Sequence, residues 1–179
     1  MRARLGFLDE SAFSQRPPIR ATWAPCGQTP RVVEPFNWKK LSGIGAVLAK
    51  PDGRRVRWLL ALQRGSVCST QIVRFLHALP RHRRRPVILL WDGLPAHRSR
   101  ITQRALATHR DWLRIEPLPA YAPELNPVKE LWAHLDANTL ANTPADDLDR
   151  LSRRVRSGVR QVHRRSALGR AFLSHTGLF

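Results

Sequence analysis

The sequence predicts an α/β fold, a mixed β-sheet flanked by helices, and three observations carry that expectation. The chain opens with strand-like runs separated by turn residues, so antiparallel β structure comes first. Strand patterns then alternate with apolar residues at helical spacing. One continuous apolar segment, Val87-Ile88-Leu89-Leu90-Trp91, has the pattern of a strand buried on both faces.

Taken in order, Leu5-Gly6-Phe7-Leu8-Asp9 reads as a first strand ending in an acid. Pro17, Pro18, Pro25 and Pro30 punctuate the loop that follows. Leu41 to Ala49 and Val56 to Leu62, joined across Pro51-Asp52-Gly53, read as a hairpin. Ser69 to Leu79 places Ile72, Val73, Leu76 and Leu79 at helical spacing, ahead of the basic run Arg81 to Arg85. Pro86 ends that run, and the buried strand to Trp91 stops at Asp92. A helix from about Ser99 to His109, a strand from Leu113 to Glu116 and a proline-broken loop from Pro117 follow. Pro127 opens another helix to about Leu135, since proline is tolerated at a first helical position. From about Pro144, Asp146 and Asp147 suit the positive end of a helix. Leu148, Leu151, Val155, Val159 and Val162 then mark its buried face. No repeat or long linker divides the chain, so residues 1–179 are read as one domain.

Composition narrows the partners. With 31 Lys+Arg against 13 Asp+Glu, the net charge is +18, while 42% hydrophobic residues exclude a disordered polybasic tail. Such an excess points to a polyanion, with nucleic acid first, although an arginine-rich composition also arises from G+C-rich coding. No apolar run approaches the roughly 20 residues of a membrane span, and Asp9 interrupts any signal-like start, so a cytoplasmic protein is expected. Cys26 and Cys68 have neither disulfide-framework nor zinc-ligand spacing.

Asp9 and Asp92 each end an apolar strand, where open α/β sheets gather their ligands. On neighbouring strands, two such carboxylates can offer hard oxygen ligands to a divalent cation. Read singly, each acid is equally able to cap a strand or start a turn. His97 reads as a packing or capping residue as readily as a catalytic one, and the six tryptophans as core and edge aromatics.

Three blocks sharpen this reading: Phe7-Leu8-Asp9-Glu10-Ser11, Leu90-Trp91-Asp92-Gly93-Leu94-Pro95-Ala96-His97-Arg98-Ser99, and Leu118-Pro119-Ala120-Tyr121-Ala122-Pro123-Glu124-Leu125-Asn126-Pro127-Val128. They resemble, in order, the signature blocks of DDE-type transposases, most closely the bacterial "six-thirty" insertion-sequence branch of the mariner superfamily. The resemblance implies a ribonuclease H-like catalytic domain that performs magnesium-dependent DNA cleavage and strand transfer. In two-metal phosphoryl transfer the ions clamp the attacking and leaving oxygens. The cofactor implied is Mg2+, with Mn2+ as the alternative ion. The partners implied are transposon-end and target DNA, with either a homodimer or a separately encoded helix-turn-helix half, in a nucleoid-associated setting. Because relatives carry helix-turn-helix modules ahead of this domain and Asp9 stands so near the first residue, the chain is read as the catalytic half alone.

By the same resemblance, Asp9 and Asp92 are the first two metal-binding acids. The third position holds Lys129 where the family has Glu. Glu130 is the first candidate to replace it and Glu124 the second, while Asp136, two turns beyond Lys129, lies about 10 Å along a helix axis, too far for a simple replacement. The alternative is a catalytically inactive DNA-binding remnant.

Overall fold

The computed structural model describes residues 3–36, 38–79, 85–119 and 122–179. Arg81 to Arg84 of the basic run, and Ala120 and Tyr121 of the third block, lie outside the described residues.

Five strands form one mixed sheet: β1 (Arg4–Ser14), β2 (Lys40–Ala49), β3 (Arg57–Arg64), β4 (Val87–Trp91) and β5 (Leu113–Pro117), in the order β3-β2-β1-β4-β5. The first three form an antiparallel meander, and β4 and β5 join the other side of β1 in parallel. Gly53, at φ 68°, is one of two left-handed residues between β2 and β3.

Helices α1 (Ser69–Ala78), α2 (Pro95–Arg98) and α3 (Arg100–Ala107) lie along the first half of the parallel part; α4 (Pro127–His134), α5 (Leu148–Arg164) and α6 (Ser166–His175) follow β5. Alternation along the strands sends their apolar residues to two separate cores. Leu8, Ile44, Ala46 and Leu89 meet Ile72, Phe75 and Leu76 of α1 on one face. Phe7, Phe13, Val47 and Trp58 meet α4, α5 and α6 on the other. The mixed sheet flanked by helices is therefore found.

Several local expectations change. β1 does not end at Asp9 but continues to Ser14, because β2 pairs with it from Leu5 through Ser14 and supplies its ladder throughout. The helix expected from about Ser99 is found as α3, which Ser99, extended, caps by accepting from Thr102 N, but a separate unexpected turn, α2, precedes it. The last segment also divides. Asp147 is the N-cap of α5 rather than part of its first turn, and Arg165 separates α5 from α6. A π-helical stretch, Leu135–Leu140, extends α4. Four of the six tryptophans, Trp58, Trp91, Trp112 and Trp132, are core; Trp23 and Trp38 are exposed.

Candidate active site

Asp9 sits in the middle of β1, on the face that carries Phe7 and Phe13. It is only 3% exposed. Both its oxygens are engaged: Lys129 Nζ donates to Oδ1 at 3.0 Å and Trp132 Nε1 donates to Oδ2 at 2.9 Å. Burial holds the carboxyl above its ordinary pKa, and the neighbouring Glu10 charge adds to the rise, while Lys129 and Trp132 oppose it.

The start of α4 determines which side chains reach Asp9. Buried Asn126 caps the helix by accepting from Val128 N at 3.1 Å, and its Nδ2 donates to Leu8 O at 3.0 Å. That second bond ties the helix start to β1 one residue before Asp9. Pro127 then occupies the first turn, where it needs no donor. With the register held in this way, Lys129 and Trp132, three residues apart, share one helical face and converge on the same carboxylate. Gly45 makes room for them: it pairs with Asp9 across β2, and a Cβ there would stand 2.5 Å from the Trp132 ring.

Parallel pairing of β1 and β4 runs from Arg4 opposite Val87 to Phe7 opposite Leu90, and stops two residues before Asp9 on one strand and Asp92 on the other. Asp92 lies just past the end of β4 and half-buried. Its Oδ1 accepts from Leu94 N at 3.2 Å and lies 3.1 Å from His97 Nδ1. His97 is buried and stacked on Trp91, with ring centroids 4.2 Å apart. Its Nδ1 is 2.9 Å from the Asp92 carbonyl oxygen, and its Nε2 is 2.9 Å from Glu10 Oε1. Burial by itself lowers the imidazole pKa, but the hydrogen bonds to Glu10 and Asp92, with their charges, outweigh it and raise the pKa. Glu10 projects from β1 opposite to Asp9, so one strand serves both halves of the site.

A cleft of about 480 Å³ opens beside these groups, lined among others by Asp92, Gly93, Arg98, Asn126 and Lys129. Asp9 is not among its lining residues; Lys129, which pairs with it, is. Arg98 lies across Gly93, the residue after Asp92. Two cations thus stand at the mouth of a site expected to hold metal ions.

Glu130 is not brought to Asp9. It projects about 100° around the helix from Lys129, and its Oε1 lies 3.6 Å from His175 Nε2 of α6. Glu124 is exposed in the short turn Pro123–Leu125, and Asp136 lies in the π-helical stretch. Sequence reasoning gave no role to Glu10 or Trp132 and left His97 open. The alternation that separates Glu10 from Asp9, the Asp92-to-His97 spacing within the second block, and the i,i+3 pair Lys129–Trp132 were the available signals.

A two-metal centre needs several carboxylate oxygens open to one space. Asp9 gives both of its oxygens to Lys129 and Trp132, Glu130 turns to His175, and Asp92 alone of the three lines the cleft. As arranged, these residues do not fit a two-metal centre. Among the described residues, one group of side chains brings three ligand atoms within 4.8 Å of one another: Glu10, Asp92 and His97.

The chain thus has a helix-flanked mixed sheet with Asp9 on β1 and Asp92 just past the end of its parallel neighbour β4. The model of the DDE superfamily endonuclease family matches residues 4–152, and the chain belongs to that family. Its structure is similar to the Mos1 transposase paired-end complex with the left transposon end (21% identity, TM-score 0.60, covering 97% of this chain and 55% of that one). It is also similar to the Mos1 mariner paired-end complex with Mn (20%, 0.60, 97% and 55%) and to the Mos1 mariner catalytic domain (18%, 0.52, 98% and 83%). These likenesses establish the ribonuclease H-like fold. The chain spans about half the length of the transposase chain in the paired-end complexes. No curated protein matches the sequence. Among the described residues, no helix is long and apolar enough to cross a membrane.

Proposed function

We propose that residues 1–179 are the catalytic domain of a DNA transposase, of the class that cleaves DNA strands at transposon ends and transfers them to a target. The observation that carries this reading is the parallel pairing of β1 with β4, which ends two residues before both Asp9 and Asp92 in a member of the DDE endonuclease family, with Asp92 lining a cleft. The three sequence blocks support placing it in the bacterial insertion-sequence branch, in the cytoplasm with the nucleoid. DNA is the substrate that the net charge of +18 favours. In the cleft, Arg98 and Lys129 draw a backbone phosphate toward Asp92, and Asn126 keeps α4 in the register that delivers Lys129. His97, locked between Glu10 and the Asp92 carbonyl, fixes the direction of the Asp92 side chain. The homologues' complexes with transposon-end DNA support DNA as the partner. A homodimer, or a helix-turn-helix half encoded separately, completes the proposed assembly.

One observation favours a second reading. With Lys129 on Asp9 and Glu130 on His175, the domain binds DNA without cutting it. A nicking assay on supercoiled plasmid separates the two. Cleavage that requires Mg2+ or Mn2+ and disappears in Asp92→Ala supports a working transposase. DNA binding without nicking supports the inactive domain, and failure to bind DNA contradicts both.

A further inference from the structure

The end of the sheet away from Asp9 and Asp92 holds a second concentration of positive charge. β1 begins there at Arg4 and β3 at Arg57, and the turn between β2 and β3 delivers Arg55. Together with His163 of α5 and Val56, these arginines line a cavity of about 270 Å³ to which, among the described residues, no carboxylate contributes. Asp9 lies five residues along β1 from Arg4, about 17 Å at the rise of a strand. The cavity is therefore distinct from the cleft at Asp92 and Lys129.

Two details mark it as more than a solvated basic face. Arg55 has φ 55°, a left-handed backbone conformation that an L side chain seldom adopts. The turn holds it there: Lys50 N donates to Arg54 O, and Gly53 N to Lys50 O, both at 2.9 Å. A smaller cavity of about 140 Å³ continues from the first, sharing Arg55 and His163 and adding Arg170, Gly169 and Trp58. Trp58 is 6% exposed, and its Nε1 is buried without a hydrogen-bond partner. That nitrogen lies 3.0 Å from the point where a Cβ on residue 169 would stand, so a glycine in the cavity wall keeps a side chain off the N–H. An indole N–H can only donate, and a buried donor without an acceptor is costly. The missing partner is an acceptor, and the guanidiniums around it select an anionic one.

We propose that this groove is a second nucleic-acid site, which holds the phosphodiester backbone of a DNA duplex. Arg55 and Arg170 grip phosphate oxygens at its mouth, and the Trp58 N–H takes the oxygen that enters furthest. The proposal rests on DNA as the partner of this chain but not on cleavage, and it gives the domain a grip on a DNA segment remote from the cleft.

The test is binding of a fluorescent random-sequence duplex, followed by anisotropy as salt is raised. Arg55→Glu with Arg170→Glu is expected to weaken binding at low salt by about tenfold or more and to flatten the log–log salt slope by about two units. Arg100→Glu with Arg104→Glu on α3, an equal change of charge, is expected to do much less. Equal losses in the two pairs would reduce the groove to net charge and overturn the proposal. A native chain that binds no duplex would instead remove the DNA reading itself. On the native chain, the indole N–H resonance assigned to Trp58 by Trp58→Phe should move on addition of duplex. A resonance that moves with inorganic phosphate at equal phosphate concentration, and stays still with duplex, would assign the cavity to a small anion and overturn the proposal.

Discussion

Lys129 Nζ stands 3.0 Å from Asp9 Oδ1, reaching from the first turn of α4 to the middle of β1. The ammonium, whose residue lines the cleft, stands against one oxygen of Asp9, and the Trp132 indole takes the other. At about 4 Å and an effective dielectric near 20, two unit charges interact by roughly 4 kcal/mol. A fixed ammonium at this position opposes a divalent ion, and solvent screening of the 41% exposed Lys129 side chain keeps that opposition below the figure for a buried charge.

The Trp132–Asp9 bond joins two buried groups, so its loss cannot be repaired by water. Trp132→Phe keeps most of the packing against Phe13, whose ring centroid is 5.5 Å away, and deletes only the donor. Urea unfolding should show a loss of about 1–3 kcal/mol. An unchanged midpoint would mean that Asp9 does not need this donor.

Gly45→Ala tests whether the space opposite Asp9 is used by the indole. Its Cβ would meet both Cη2 and Cζ2 of Trp132 at 2.5 Å and Val128 Cγ1 at 3.1 Å, so the buried ring must shift. The expected cost is about 1–3 kcal/mol of stability, with a shift of the Trp132 indole N–H resonance. A variant as stable as the native chain, with that resonance in place, would contradict the close packing.

Helix α5 gives a prediction in pH. Asp147 Oδ1 accepts from Arg150 N at 2.5 Å, and this bond to the backbone lowers the carboxyl pKa below 3.8. A depressed pKa in the folded state means that the stabilisation is present above 3.8 and is lost as pH falls through the lowered value. Asp147→Ala should therefore melt earlier than the native chain at neutral pH, and the difference should shrink as pH drops below 3.8. A gap that does not depend on pH would argue against the charged cap.

The strand Val87–Trp91 was legible because an unbroken apolar run between Pro86 and Asp92 leaves few other options, and the structure gives the same limits. The α5 face was legible because Leu151, Val155, Val159 and Val162 fall at helical spacing, and all four are buried. The continuation of β1 to Ser14 was not, since Glu10, Ser11 and Ala12 carry no apolar signal and owe their strand to pairing with β2. At the site, the blocks point to Asp9 and Asp92, but no spacing rule says that the Asn126 side chain would bond to Leu8 O and so fix the α4 register. That bond decides that Lys129, not Glu130, faces Asp9. His97 was ambiguous for a similar reason: its partner Glu10 is distant in sequence and meets it only once β1 and β4 are paired.

The central claim is that Lys129 closes Asp9 to metal ions, and calorimetric titration with Mn2+ tests it most directly. Lys129→Glu removes the cation and places a carboxylate on the helical face that meets Asp9. This variant should bind Mn2+ at least about tenfold more tightly than the native chain, and the gain should vanish when Asp9→Asn is added. Equal Mn2+ affinity in the native chain and in Lys129→Glu, or a native affinity that collapses in Glu130→Ala, would contradict the account.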